Sequence, residues 1–538
     1  MTSGSRRAGA AGVCLLLALI HTWPLVLHPA RYSRNDNGDA MLNEWILAWV
    51  EHELPRNPMH LFEGNIFYPA HDVLAFSEPL IVPAVMGAPF AWAGASPVLV
   101  FNLMLIAGFA LTAFATFWVV ESWTGEAAAG LLAGSVFAFN THTLTRLAHV
   151  QAAHIYGLPL ALLALDRLIR GGPVRHALLL ALWLIALAYT SGYSFVFASL
   201  MLPIALVVRA REWWPRRGIA VPRVALGGLV AAALIVPLAI PYARVARDQH
   251  MVRSIADVRE YSATPKGYLA TTGRLHFALW SHAIFRDPVD SFFPGVAIIV
   301  MAGIALGAAV RRPAPDAPLL RARVGMLAAI AIAGFVLSLG PSTPIYRWLF
   351  AIFPPMQGLR AAARFGNLFL LGVAMLGGLG LAACKAPRWL AVAIVVIANA
   401  ESLRAPFVYR DFTGIPGVYK LLASEPGRVV VAEQPFFPRW AIFENAPYVL
   451  NSTAYWRPLM NGYSGYTPDT YQKYADDFWY FPDDRAIAAM KNAGVTHVVV
   501  HPSMFLRDAA KVMRQVDARP DLELMAIGPD GMRIYRLQ

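Results

Sequence analysis

The sequence is short of charge and of cysteine. Charged residues fill 14% of its 538 positions, where soluble globular chains carry about a quarter. Apolar residues take the vacant share, 57% of the chain, and mean hydropathy is +0.49. That balance excludes a large soluble core as the main architecture. The two cysteines, Cys14 and Cys384, each lie near the end of an apolar block. They make neither a disulfide framework nor a cysteine-based metal site, and read as free, buried thiols. Internal repeats and low-complexity tracts are lacking. Acidic residues are outnumbered, 33 to 45, for a formal charge of +12. A basic excess can signal nucleic acid, but here the arginines cluster in short loops between apolar blocks, the pattern of cytoplasmic membrane loops. No nucleic-acid partner is expected.

What the chain does have is apolar blocks of about 17–22 residues, the length that crosses a hydrocarbon core of roughly 30 Å. They fall near 8–27, 97–120, 126–140, 150–169, 175–189, 193–209, 222–241, 292–310, 323–340, 364–384 and 388–404. The first suits a cleaved signal peptide as well as a span. No small-x-small cleavage site precedes Trp23-Pro24, which favours a retained span. With the N-terminus inside, the inner segments carry Arg6 and Arg7, then Arg167, Arg170 and Arg175, then Arg209 through Arg223. Arg311, Arg312, Arg321, Arg323, Lys385 and Arg388 follow. About eleven spans in this orientation satisfy the charge rule and leave the C-terminus outside. The expected fold is mainly α: a polytopic membrane domain over 1–404 and a small extracytoplasmic α/β or α+β domain over 405–538. In that tail Val429–Val431, Val498–Val500 and Met532–Leu537 read as strands and 483–493 as a helix.

The polar chemistry lies in the outer segments, above all in 28–96. Between 30 and 95 stand three basic residues against eight acidic ones, Asp36, Asp39, Glu44, Glu51, Glu53, Glu63, Asp72 and Glu78. Asp39 precedes a helix over about 40–54 with Leu42, Trp45, Ile46, Trp49 and Val50 on one face, which suits the membrane interface. A carboxylate at that boundary can take a proton from an acceptor hydroxyl, and a second can orient it or hold a divalent cation. The same spacing suits Asp39 as a plain helix cap and Asp36 as a turn residue. Asp72 and His71 are weak candidates for a metal, and the apolar run 79–93 is too short and proline-broken to span.

A phosphate-bearing substrate needs cations on the same face. Arg360 and Arg364 stand four apart ahead of a late span, where guanidinium forks suit phosphate oxygens. Arg146, Arg244, Arg247, Arg253, Arg259, Lys266 and Arg274 also fall in outer segments. Anchoring to lipid headgroups is the plainer reading of such arginines. His142, His149 and His154 form a polar stripe at one span's outer end; hydrogen-bonded structure is the commoner role of such histidines, although His154 lies deeper.

Four motifs carry a resemblance: Gly38-Asp39 with Asn43-Glu44-Trp45, Asn65 to Pro69 with Ser77-Glu78, His149-Val150-Gln151, and Arg360 to Phe365. Over about 1–405 the chain resembles the GT-C superfamily of membrane glycosyltransferases, near its YfhO-like and dolichyl-phosphate-mannose-type mannosyltransferase-like bacterial members. The resemblance implies a multi-pass inner-membrane enzyme that moves a sugar from a polyprenyl-phosphate donor to an extracytoplasmic glycan, lipid or protein acceptor. It implies Asp39 or Asp36 as the catalytic carboxylate, Arg360 and Arg364 on the donor phosphate, and Glu44, Asn65, Tyr68, Glu78, His149 and His154 around the substrate. No Asp-x-Asp or Glu-x-Asp pair occurs in the first loop, so use of a divalent cation such as Mg or Mn stays open. A lipid-linked glycan flippase or a non-catalytic envelope-assembly subunit is the rival. Spans with almost no midplane charge and no repeat argue against transport.

Overall fold

A backbone that crosses lipid must satisfy its own N–H and C=O groups, so apolar blocks of spanning length become helices. The computed structural model, which describes residues 3–33, 38–287, 290–311 and 317–538, has a helix at each block. They are Ser3–His21, Pro97–Thr124, Ala127–Ala138, Val150–Ala153 with Gly157–Ile169, Arg175–Thr190, Gly192–Val208, Arg217–Asp248, Val296–Arg311, Ala317–Ser338, Gly366–Cys384 and Arg388–Ser402. Among the described residues five helical stretches are long and apolar enough to cross a membrane: Pro97–Thr124, Val150–Ile169, Ala210–Asp248, Pro318–Ser338 and Ala362–Cys384. The chain is a multi-pass membrane protein.

Two compact units are built from interleaved segments. The first comprises Met1–Pro29, Asn102–Leu238 and Val252–Val408. Its centre is the helix Gly366–Cys384, packed against Val296–Arg311, Ala317–Ser338 and Ala127–Ala138. Small residues permit this closeness. A Cβ on Gly380 would lie 1.8 Å from the Met301 carbonyl oxygen, and one on Gly372 2.6 Å from that of Leu327. Asp166, at the end of Gly157–Ile169, is buried between Arg209 and Arg323, with Arg323 Nη2 2.9 Å from Asp166 Oδ2. Arg209 also reaches Glu212 at 2.6 Å, and Arg323 lies over the Trp123 ring. Arg312 lies outside the described residues. Cys14 is buried; Cys384, read as buried from the sequence, is exposed at the end of its helix.

The second unit joins Ala30–Phe101, Ala239–Met251 and Tyr409–Gln538. Strand β1 (Tyr32–Ser33) pairs antiparallel with β2 (Arg410–Asp411). A second sheet contains β3 (Val431–Gln434), β4 (His497–Val500), β5 (Leu522–Ile527) and β6 (Arg533–Leu537) in the order β3-β4-β6-β5. β3 and β4 run parallel, and the other pairs are antiparallel. The strands expected at 498–500 and 532–537 and the helix Asp484–Asn492 are present; the strand expected at 429–431 begins only at Val431 and runs to Gln434, and β5, with its half-exposed pattern, has no counterpart in the sequence reading.

The helix Asp39–Glu53 departs from its amphipathic reading. Ala40 and every residue from Leu42 to Glu51 are buried, so the helix is enclosed on all sides rather than along one stripe. It packs on Ile81–Trp92, the proline-containing run, and on Ala446–Asn451. Trp45 Nε1 donates to Asn65 Oδ1 at 3.0 Å, and Trp49 Nε1 to the Leu61 carbonyl at 2.8 Å.

Candidate functional site

In the second unit the acidic loop is held by the tail. Gly38, at φ +83°, occupies the cap position of Asp39–Glu53, and Asp39 is the first helical residue. The cap reading of Asp39 is thereby replaced: a glycine does the capping. The half-buried Asp39 carboxylate accepts the Tyr463 hydroxyl at 2.5 Å, and the Asp39 carbonyl accepts Asn43 Nδ2 at 2.7 Å. The phenol hydrogen bond and the helix start, where the dipole favours negative charge, fix the position of this carboxylate. Asp36 lies outside the described residues.

Two further carboxyls are buried in the same helix. Glu44 accepts Ser33 Oγ at 2.9 Å through one oxygen and leaves the other buried without a partner among the described residues. Burial pushes its carboxyl up to about 7, against the opposing effect of the Ser33 bond. Glu51, also buried with an oxygen unpartnered among the described residues, is pushed up to about 8 by the same cause. Glu44 thus supports the strand from which the acidic loop departs.

The remaining first-loop candidates are structural ties. Asn65 Nδ2 donates to the Arg457 carbonyl, the Asn65 carbonyl accepts Leu459 N–H at 2.7 Å, and Phe67 N–H donates to Asn461 O. Tyr68 OH accepts Arg428 Nη2 at 2.7 Å. Asp72 is gripped by Arg244, with Nε and Nη2 at 2.7 and 2.5 Å from its two oxygens. His71 is exposed and bonds Glu63 at 3.0 Å. Glu78 is half-buried, and Tyr242 donates to the neighbouring Ser77 carbonyl at 2.8 Å. Among the described residues no three His, Cys, Asp or Glu groups converge as a metal site. With both Asp72 oxygens on a guanidinium, these residues do not form a cation's donor set.

In the first unit the cations gather around tyrosines. Arg360 and Arg364 do not share a helical face: Ala361 between them is non-helical (φ −99°, ψ 87°), and the segment winds as a 3₁₀ turn only from Ala362 to Phe365. Arg360 Cζ lies 4.5 Å above the Tyr261 ring and Arg364 Cζ 4.4 Å above that of Tyr193. The Tyr193 hydroxyl accepts the backbone N–H groups of Arg360 and Ala361 at 3.0 and 2.8 Å, fixing the turn that carries both arginines. Arg146 donates to His142 Nε2, and His142 stacks on Phe292 at 4.2 Å. Burial, then Arg364, pushes the Arg146 guanidinium down to about 9. Burial and both arginines hold the His142 imidazole well below its usual range, so it stays neutral. Among the described residues none of these three arginines forms an ion pair, and Arg364 Nε is buried without a hydrogen-bond partner. Such a cluster is suited to an anion.

His154 is not part of it. It is fully buried, donates from Nε2 to the Met104 carbonyl at 2.8 Å, and presses against Gly108, a helix-to-helix tie. His149 stands at the start of the short helix Val150–Ala153. Sequence reasoning missed Tyr193 and Tyr261; neither has a local signal, since Tyr193 meets Arg360 across 167 residues.

No protein-family model matches the chain, nor does any curated protein. Solved structures do. The arabinofuranosyltransferase AftD from Mycobacteria is similar at 17% identity and TM-score 0.62, over 100% of this chain and 40% of that one. The archaeal oligosaccharyltransferase AglB from Archaeoglobus fulgidus is similar at 13% identity and TM-score 0.50, over 99% of this chain and 74% of that one. The chain therefore spans well under half the length of the AftD chain. A helical membrane body with a small C-terminal sheet domain, shared with these enzymes, is the GT-C fold that the sequence resemblance implied.

Proposed function

We propose that the protein is a glycosyltransferase of the cell inner membrane, moving a sugar from a polyprenyl-phosphate donor to an extracytoplasmic acceptor. The N-terminus then lies in the cytoplasm and the tail outside. The observation that carries this reading is the cluster of Arg146, Arg360 and Arg364 around Tyr193 and Tyr261, without an ion pair among the described residues, in a chain with the GT-C fold. Half-buried guanidinium groups such as those of Arg146 and Arg364, which form no ion pair among the described residues, are costly unless a ligand supplies negative charge.

The chemistry assigned is a single displacement. Asp39 takes the proton of the acceptor hydroxyl as its oxygen bonds the anomeric carbon. The bond from that carbon to the phosphate oxygen breaks, and the electron pair leaves with the lipid phosphate. Arg360 and Arg364, with Arg146, offset the charge that grows on the leaving group, where fixed donors contribute most. Asp36 is the alternative base.

Transfer of radiolabelled sugar from a polyprenyl-phosphate donor tests the roles. Asp39→Asn is expected to lower turnover by about 10²–10⁴-fold with insertion and melting unchanged. Arg364→Ala is expected to lower kcat more than it raises the KM for donor, because the charge it offsets grows in the transition state. Full transfer by Asp39→Asn would remove Asp39 from the chemistry.

A further inference from the structure

The second unit contains a groove that the transfer chemistry does not use. It opens where the parallel strands β3 and β4 end, between the segments 434–444 and 504–515, with 479–483 as a third wall, and has a volume of about 800 Å³. Crevices beyond the carboxyl ends of parallel strands are common ligand sites, and this volume falls within the range that encloses a drug-sized molecule. Three observations say what kind of ligand fits.

First, large rings stand open to solvent. Trp440 is 77% exposed, Trp479 57% and Tyr480 51%. These rings are not the sheet's core, which Phe436, Tyr471 and Phe478 already fill. Second, the polar lining is acidic, Glu444 and Asp508 with Asp483 against Lys511, in a chain of net charge +12. A face for anionic headgroups would have the opposite bias. Third, the floor holds a spare donor. Gln434 is 1% exposed; its Oε1 accepts the Phe436 N–H, while its Nε2 is buried with no partner among the described residues. An unpartnered buried amide is costly unless something completes it.

Flat apolar faces, carboxylate acceptors and one amide donor together match a polyhydroxylated ring. C–H faces stack on indole, hydroxyl hydrogens go to Glu444 and Asp508, and a hydroxyl oxygen accepts from Gln434. We infer that this groove is a glycan-binding site of the soluble domain, taking an uncharged oligosaccharide. That its occupant is the transfer acceptor rests on the glycosyltransferase reading above; that it binds glycan does not.

The test uses the full-length protein in detergent, titrated calorimetrically with hexasaccharides of glucose, of mannose and of arabinose. At least one is expected to bind. Trp440→Ala and Trp479→Ala are each expected to weaken it about tenfold, the loss of one stacking face. Both rings are exposed, so melting should not change. Gln434→Ala is expected to weaken binding severalfold, and Gln434→Glu, which lacks the N–H donor, comparably. If none of the sugars binds, or if binding ignores both tryptophan changes, the proposal is overturned. Tighter uptake of a lysine-rich peptide or of phosphatidylserine vesicles through the same tryptophans would overturn it too. Transfer and groove binding measured together separate the two claims. No transfer by the unaltered protein with tryptophan-dependent sugar binding removes the enzyme reading alone, full transfer by Asp39→Asn removes only Asp39 from the chemistry, and transfer with tryptophan-independent sugar binding removes the groove alone.

Discussion

At Gly38 the backbone decides where the first-loop carboxylate stands. Its φ of +83° suits glycine, and a Cβ there would meet Ala446 Cβ at 3.0 Å and the Phe443 carbonyl at 3.2 Å. Gly38→Ala is therefore expected to lower stability by about 1–2 kcal/mol. It should lower transfer further than the melting change explains, because Asp39 is the next residue. Glu51 gives a pH signature. Its folded carboxyl titrates near 8, far above the ordinary carboxyl range near 4.3. Between those values the folded state keeps a proton that the unfolded state has lost, so stability falls as pH rises through the window. Glu51→Gln removes that loss. Its melting temperature should match the wild type near pH 4 and exceed it by a few degrees at pH 8 in detergent scans; identical pH slopes would contradict the assignment. The partners of these groups were illegible in the sequence. Asp39 meets Tyr463 across 424 residues, and only the acidic bias of the loop and the aromatic richness of the tail showed separately.

At the scale of elements the sequence spoke more plainly. Each apolar block became a helix because length and hydropathy suffice to specify one in lipid. The errors arose where one residue overrode a pattern. Arg360 and Arg364 have helical spacing, yet Ala361 leaves the helical region and the two guanidiniums settle over different tyrosines. Asp166 was hidden by the apolar average of its block, although Arg209 and Arg323, taken as loop charges, are buried against it. The three helices that supply these residues are thereby joined at one end. Asp166→Ala would leave two buried guanidiniums with less compensation, Arg209 keeping only Glu212. A loss of about 3–5 kcal/mol is expected, seen as a large fall in melting temperature or in yield of inserted protein. Asp166→Asn should fall between, since the amide still accepts one hydrogen bond.

At the scale of the whole molecule, the sequence showed a polar first loop and a tail but not that they fold together. The second unit is discontinuous: Asn65–Tyr68 runs beside Arg457–Asn461 through backbone hydrogen bonds, and β1 from the loop pairs with β2 from the tail. Phe67 fills the space over Gly462, where a Cβ would come within 2.4 Å of its ring. Loop pairings this distant leave no periodicity to read, because each strand is two residues long and each partner is supplied from the far end of the chain. The consequence is a folding dependence. Residues 405–538 expressed alone would bare the Phe67 seat and the backbone groups that Asn65, Phe67 and Tyr68 satisfy, and buried groups so exposed favour opening. That fragment is expected to be digested rapidly by trypsin and to show weak near-ultraviolet circular dichroism. A chain linking 30–101 to 409–538 is expected to resist digestion and to gain the aromatic signal. Equal protection of the two would mean that the tail's sheet is self-sufficient and that the first loop only docks on it.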